Sequence, residues 1–194
     1  MASLYIERFE LVGKPPIPEP PIQKTLRRRA VIGGALGGLA GVWIYLFYGT
    51  VLQFAQGRDG WLALKLFALP VTPAAAMAAG FDALAVALGV LVPLVLGAAL
   101  GALFGLATHR LDNDVKLPVG AAYGVLVWAL GAGLVWPFLP ASWRLHVGLV
   151  MPDWAAMIQA MVYGIFAAVG ATLAALPRDF WRGLFGPTGR LAGR

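Results

Sequence analysis

Few residues in this chain could do chemistry, and they do not converge. His109 and His146 fall at opposite ends of long uncharged stretches, which argues against a pair of axial haem ligands, and no carboxylate joins a histidine at metal-ligand spacing. Asp82 and Asp153 could meet at one mouth of a bundle and share a proton or hold a cation. Each, however, stands where an apolar run begins, and an anionic side chain favours a helix N-terminus, so both read as caps. Gln159, Tyr123 and Tyr163 supply polar groups within apolar runs, and hydrogen bonding between helices or to backbone is expected of them. No Lys, Arg, Asp or Glu falls at the middle of a run, which counts against a proton-coupled pump or an ion carrier. Cysteine is absent, so thiolate ligands and sulfur redox chemistry are excluded. The sequence therefore predicts no catalytic residue, no metal and no cofactor, and no enzyme.

The elements that position these residues are membrane spans. Hydrophobic residues make up 60% of the 194, charged residues only 12%, and the mean hydropathy is +0.77. A water-soluble domain of this size would have too little polar surface to cover its core. The net charge of +6 lies beside apolar runs, not along a patch interleaved with aromatics. Anionic lipid headgroups are thus the expected partner and nucleic acid is not.

An uncharged run from Ala30 to Gly57 follows Arg27, Arg28 and Arg29. It exceeds the roughly 20 residues needed to cross the hydrocarbon core, and the arginines hold its leading end in the cytoplasm. The predicted architecture is all-α, a four-helix transmembrane bundle with spans near residues 30–53, 82–109, 117–139 and 153–176. Twelve of the fifteen Lys and Arg residues then share one side with both termini, which the positive-inside rule places in the cytoplasm. The short mixed-charge turn from Thr108 to Lys116 predicts that spans two and three are antiparallel neighbours. Between spans one and two, the ten residues Trp61 to Pro70 are too short to cross. They read as an interfacial helix on the outer leaflet, its Lys65 snorkelling to water. Thr72 and Pro73 then resemble the cap and first position of a new helix.

Three regions follow. Residues 1–29 form a proline-rich cytoplasmic arm in which Pro15, Pro16, Pro18, Pro20 and Pro21 favour an extended backbone, while Leu4, Tyr5, Ile6 and Phe9 offer anchoring contacts to a partner protein. Residues 30–177 are the membrane domain. Residues 178–194 are a basic aromatic tail in which Arg178, Trp181 and Arg182, like Arg27 to Arg29, suit lipid headgroups.

Small residues recur at four-residue spacing, which lets helix backbones approach closely in lipid. Gly33, Gly37 and Gly41, with Gly34 and Gly38 beside them, mark span one, and Gly97, Gly101 and Gly105 mark span two. Gly120 and Gly124 mark span three, and Gly164 lies with Ala160, Ala168 and Thr172 on span four. These stripes sit toward the cytoplasm and bulky residues toward the outside. The helices should therefore pack tightly below and splay above, leaving an outer opening for aromatics, lipid, a hydrophobic ligand or a partner's helix. Each half also supplies an outward span, a Trp-bearing outer segment and a returning span beginning near an aspartate, which suggests a duplicated hairpin.

The stretch TLRRRAVIGGALGG, Thr25 to Gly38, resembles a twin-arginine export signal, but no A-x-A-like site follows it and further spans do, so a retained first helix is expected. At YGVLVW, Tyr123 to Trp128, and MVYGIFAAVGA, Met161 to Ala171, the chain resembles small uncharacterised four-span membrane proteins common in bacteria. The resemblance implies a bacterial inner-membrane bundle. The expected function is a non-catalytic accessory or assembly subunit of a larger inner-membrane complex, with a respiratory or photosynthetic electron-transfer complex as candidate parent and other membrane subunits as partners. The alternative is a small transporter or a lipid- or quinone-binding protein.

Overall fold

A computed structural model describes residues 21–176. Those residues are all-helical, with no strand among them, and four of the helices are long and apolar enough to cross a membrane. In chain order the long helices are α1 (Pro21–Ala55), α4 (Ala83–Thr108), α5 (Asn113–Leu130) and α7 (Asp153–Ala175). Between them come α2 (Trp61–Lys65), α3 (Pro73–Met77) and α6 (Ala141–Val150). A 3-10 turn, Leu66–Ala68, extends α2, and α5 continues as a five-residue π-helix, Gly131–Val135, and a 3-10 turn, Trp136–Phe138.

The first helix begins nine residues before the expected Ala30. Proline at the first helical position loses no helical hydrogen bond, because that N–H would have no partner there, so Pro21 starts α1 instead of extending the arm. Arg27 to Arg29 thus stand on its opening turns, and the end of the bundle that carries them is called the basic end below. At its other end α1 closes with a Schellman motif. Gly57 takes φ of +69°, its N–H meets the Phe54 carbonyl at 3.0 Å and the Arg58 N–H meets the Gln53 carbonyl at 2.9 Å.

α1 is the centre of the bundle, with α4 along one side and α7 along the other, and α5 packs on the far side of α7. The short turn joining α4 to α5 does not make them close neighbours: their backbones barely meet, and Tyr123 of α5 spans the gap to the Leu100 carbonyl of α4 at 2.9 Å. α5 is the peripheral helix. Only 11% of its most apolar window is buried, against 44% for α1.

The far end is closed by the chain itself. Ala63, Leu66, Ala68 and Leu69 from the α2 region pack with Ala76 of α3, Ala85 of α4, and Val150, Met151 and Ala155. The segment expected to lie on the outer leaflet is therefore folded into the mouth between α1 and α4. Gly89 lets it in, since a Cβ there would collide with the Leu64 carbonyl.

Candidate functional site

The glycine stripes build three seams. Gly33 and Gly37 lie against the Gly170 and Phe166 carbonyls of α7, and a Cβ on Gly41 would stand 3.0 Å from the Tyr163 ring. One residue further round α1, Gly34 and Gly38 face the Gly101 and Gly97 carbonyls of α4, with Gly105 against Ala30. On the outer flank of α7, Gly120 meets Gly164, and Gly124 meets Ala160. A side chain at any of these positions would enter a neighbouring backbone or side chain, so the seams exist because these residues lack a Cβ. Gly89 and Gly170 belong to the same design and escaped the sequence reading. Gly89 lies eight residues ahead of the stripe at Gly97, and Gly170 stands two residues from the small-residue line Ala160, Gly164, Ala168.

Polar groups at the far end are engaged in holding backbone. Lys65 does not snorkel: it is 0% exposed, and its ammonium donates to the carbonyls of Ala75 at 3.1 Å, Gly80 at 2.8 Å and Ala78. Its three N–H donors are matched to three carbonyls at and beyond the end of α3, where the helix leaves acceptors without partners. The Asp59 carboxylate takes the N–H of Trp61 at 3.0 Å and that of Gly80. Asp82 caps α4 as expected, accepting from the Ala85 N–H at 2.8 Å, whereas Asp153 sits in the first turn of α7 without a side-chain capping bond. From the end of α1, the Gln53 amide and the Arg58 guanidinium donate to the Val150 and Leu149 carbonyls, which fastens α6 to the α1 terminus.

Tyr123 and Tyr163 bond backbone between helices, Tyr163 reaching the Gly97 carbonyl at 2.8 Å. Gln159 does not follow them, for it is buried and neither its oxygen nor its nitrogen has a partner among the described residues. His146 on α6 lies in partial burial with Nε2 unpartnered, and desolvation, reinforced by the Lys65 charge, holds its pKa below the usual imidazole value. His109 stands at the opposite end of the bundle, with Nδ1 2.7 Å from the Leu106 carbonyl. Three or more potential metal ligands gather nowhere among the described residues.

A cavity of about 240 Å³ opens at the basic end, where the start of α1, the α4–α5 turn and the end of α7 come together. One wall is apolar, with Leu26, Ala30 and Ala175, and the other carries His109, Asp112 and Lys116. Arg27 and Arg28 are exposed at this end and Arg29 is partly covered. Leu4, Tyr5, Ile6 and Phe9, with Arg178, Trp181 and Arg182, lie outside the described residues.

The arrangement can pack helices and close its own far mouth. It does not bring together a nucleophile, a base and an acceptor for developing charge among the described residues. No family model, no curated protein and no solved structure matches this chain.

Proposed function

We propose that this chain is a non-catalytic accessory or assembly subunit of a larger complex in a bacterial inner membrane, with an electron-transfer complex as candidate parent. The observation that carries this reading is the contrast between α5 and the rest of the bundle. The stripe glycines of α1, α4 and α7, and those in the first half of α5, lie against another helix. Gly131 and Gly133, in the π-helical continuation of α5, have no atom within 4 Å of a Cβ placed on them. Leu130, Leu134, Val135 and Phe138 around them are exposed. Glycine weakens a helix by about 1 kcal/mol relative to alanine, and π-helical segments often mark functional positions, so an unpartnered pair here supports a surface kept for another helix.

The chain's own α2–α3 segment occupies the far mouth of the first half, which takes away the space that a lipid- or quinone-carrying protein would use there. In this reading the basic end faces the cytoplasm with both termini, and the two hairpins, α1 with α4 and α5 with α7, descend from one duplicated unit. Purification of the native protein in mild detergent tests the proposal: other membrane subunits should accompany it, and Gly131→Leu should lower their yield while leaving the bundle folded. A lone protein, or an unchanged yield from Gly131→Leu, would defeat it. Reporter fusions after Leu111 should read as cytoplasmic, with those near Asp59 and Ser142 external.

A further inference from the structure

The basic-end cavity has features that the packing of this chain does not require. Lys116 is 3% exposed, and its ammonium has one acceptor among the described residues, the Asn113 side-chain oxygen at 2.9 Å. An ammonium has three donors, and one amide oxygen leaves two of them without a hydrogen-bond acceptor among the described residues. Asp112 lines the same cavity but forms no ion pair with it. The Asp112 charge acts on Lys116 without reaching its N–H groups, so a positive and a negative group line one space while two of the ammonium's donors have no acceptor among the described residues. Across from them, Leu26, Ala30 and Ala175 supply an apolar wall. With the four long helices read as spans, the cavity lies at the turn between two of them, where headgroups would meet hydrocarbon.

We propose that this cavity binds the headgroup of a zwitterionic aminophospholipid, with the phosphate diester at Lys116 and the primary ammonium at Asp112. A charge-assisted bond from Lys116 to a phosphate oxygen would supply the missing acceptor, and the apolar wall would carry the start of the acyl chains. The selectivity follows from the pair. A choline headgroup has no N–H to donate to Asp112, and a glycerol headgroup offers that carboxylate only neutral hydroxyls, without the charge-assisted bond of an ammonium. The ethanolamine headgroup should therefore be preferred over both. None of Arg27 to Arg29 lines this cavity, and the proposal stands whether or not the chain is a subunit of a larger complex.

The test is native mass spectrometry of the full chain released from nanodiscs of equimolar dioleoyl phosphatidylethanolamine, phosphatidylcholine and phosphatidylglycerol. One ethanolamine lipid should be retained at about tenfold preference over either competitor, the scale of one charge-assisted hydrogen bond. Lys116→Met should abolish retention. Asp112→Asn, in the turn and outside the helix seams, should keep a bound phospholipid but remove the preference for ethanolamine, so the proposal stays testable even if Lys116→Met fails to fold. Equal retention of the three lipids by the wild-type chain, or an undiminished preference in Asp112→Asn, would overturn it. Soluble phosphoethanolamine should not displace the lipid at millimolar concentration; displacement would overturn the lipid assignment in favour of a water-soluble phosphate ester.

Discussion

Replacing Lys65 by methionine separates an inward lysine from a snorkelling one. Methionine matches the length of the buried stem, so contacts with the surrounding core are largely kept and the change isolates the ammonium. Three carbonyls, at Ala75, Ala78 and Gly80, lose their donor. An acceptor left buried without a partner costs about 1–3 kcal/mol. The loop beyond Met77 is partly open to water, so about 3 kcal/mol is a reasonable total, somewhat below three full penalties. That corresponds to roughly a hundredfold rise in the population of a locally opened far end. Hydrogen exchange in detergent micelles reads it directly: amides of Trp61 to Met77 should exchange about a hundredfold faster in Lys65→Met, while those at the α1–α7 seam stay protected. Exchange within threefold of wild type across Trp61 to Met77 would show that the three carbonyl bonds do not hold the segment and would restore the snorkelling picture.

Two further outcomes follow. Gly101→Leu should prevent the bundle from closing, because its side chain would enter the Gly34 carbonyl across the α1–α4 seam, whereas Val95→Ala, on an exposed face, should change thermal stability by less than about 0.5 kcal/mol; retention of a wild-type melting temperature by Gly101→Leu would refute the seam. His146 has its folded pKa depressed by burial and by Lys65, so the unfolded chain binds its proton first as pH falls. Stability should be full above the unfolded value near 6.5 and decline as pH drops through the lowered folded value, and His146→Gln should remove that decline when melting is followed from pH 7.5 to 5.

The spans and their seams were readable in the sequence because lipid leaves few choices. A backbone without water must satisfy itself as helix, and helices without a hydrophobic drive between them meet where side chains are smallest. Gly33 to Gly41 and Gly97 to Gly105 announce both facts. Partner choice was less accessible. A short turn argues for α4 beside α5, yet the pairs Gly120 with Gly164 and Gly124 with Ala160 draw α5 to α7, and a four-residue turn cannot oppose that. Lys65 was misjudged for a different reason. A lone cation in ten apolar residues has the pattern of a surface helix, and its true acceptors are main-chain carbonyls ten to fifteen residues downstream, which carry no residue-type signal. The α1 start was missed because proline disfavours helix in its interior and suits the first position, so its type alone does not decide which. The basic-end cavity joins residues from three separated stretches, and no local spacing marks it.

The central position of α1 also sets a schedule for biogenesis. Its Gly34 and Gly38 face meets α4, the next span to leave the ribosome, but its Gly33, Gly37 and Gly41 face waits for α7, the last long helix described. About 130 residues separate Gly37 from Phe166. At 5–20 residues per second, that face stays without its mate for roughly 6–26 seconds of translation. During that interval the nascent chain has a half-finished hub, open to lipid, to an insertion factor or to the α1 of another copy. The bundle is then completed by its final long helix, so a message truncated before α7 leaves the α1–α4 seam as the one that can form, with the α7-facing glycines of α1 and of α5 both without a mate.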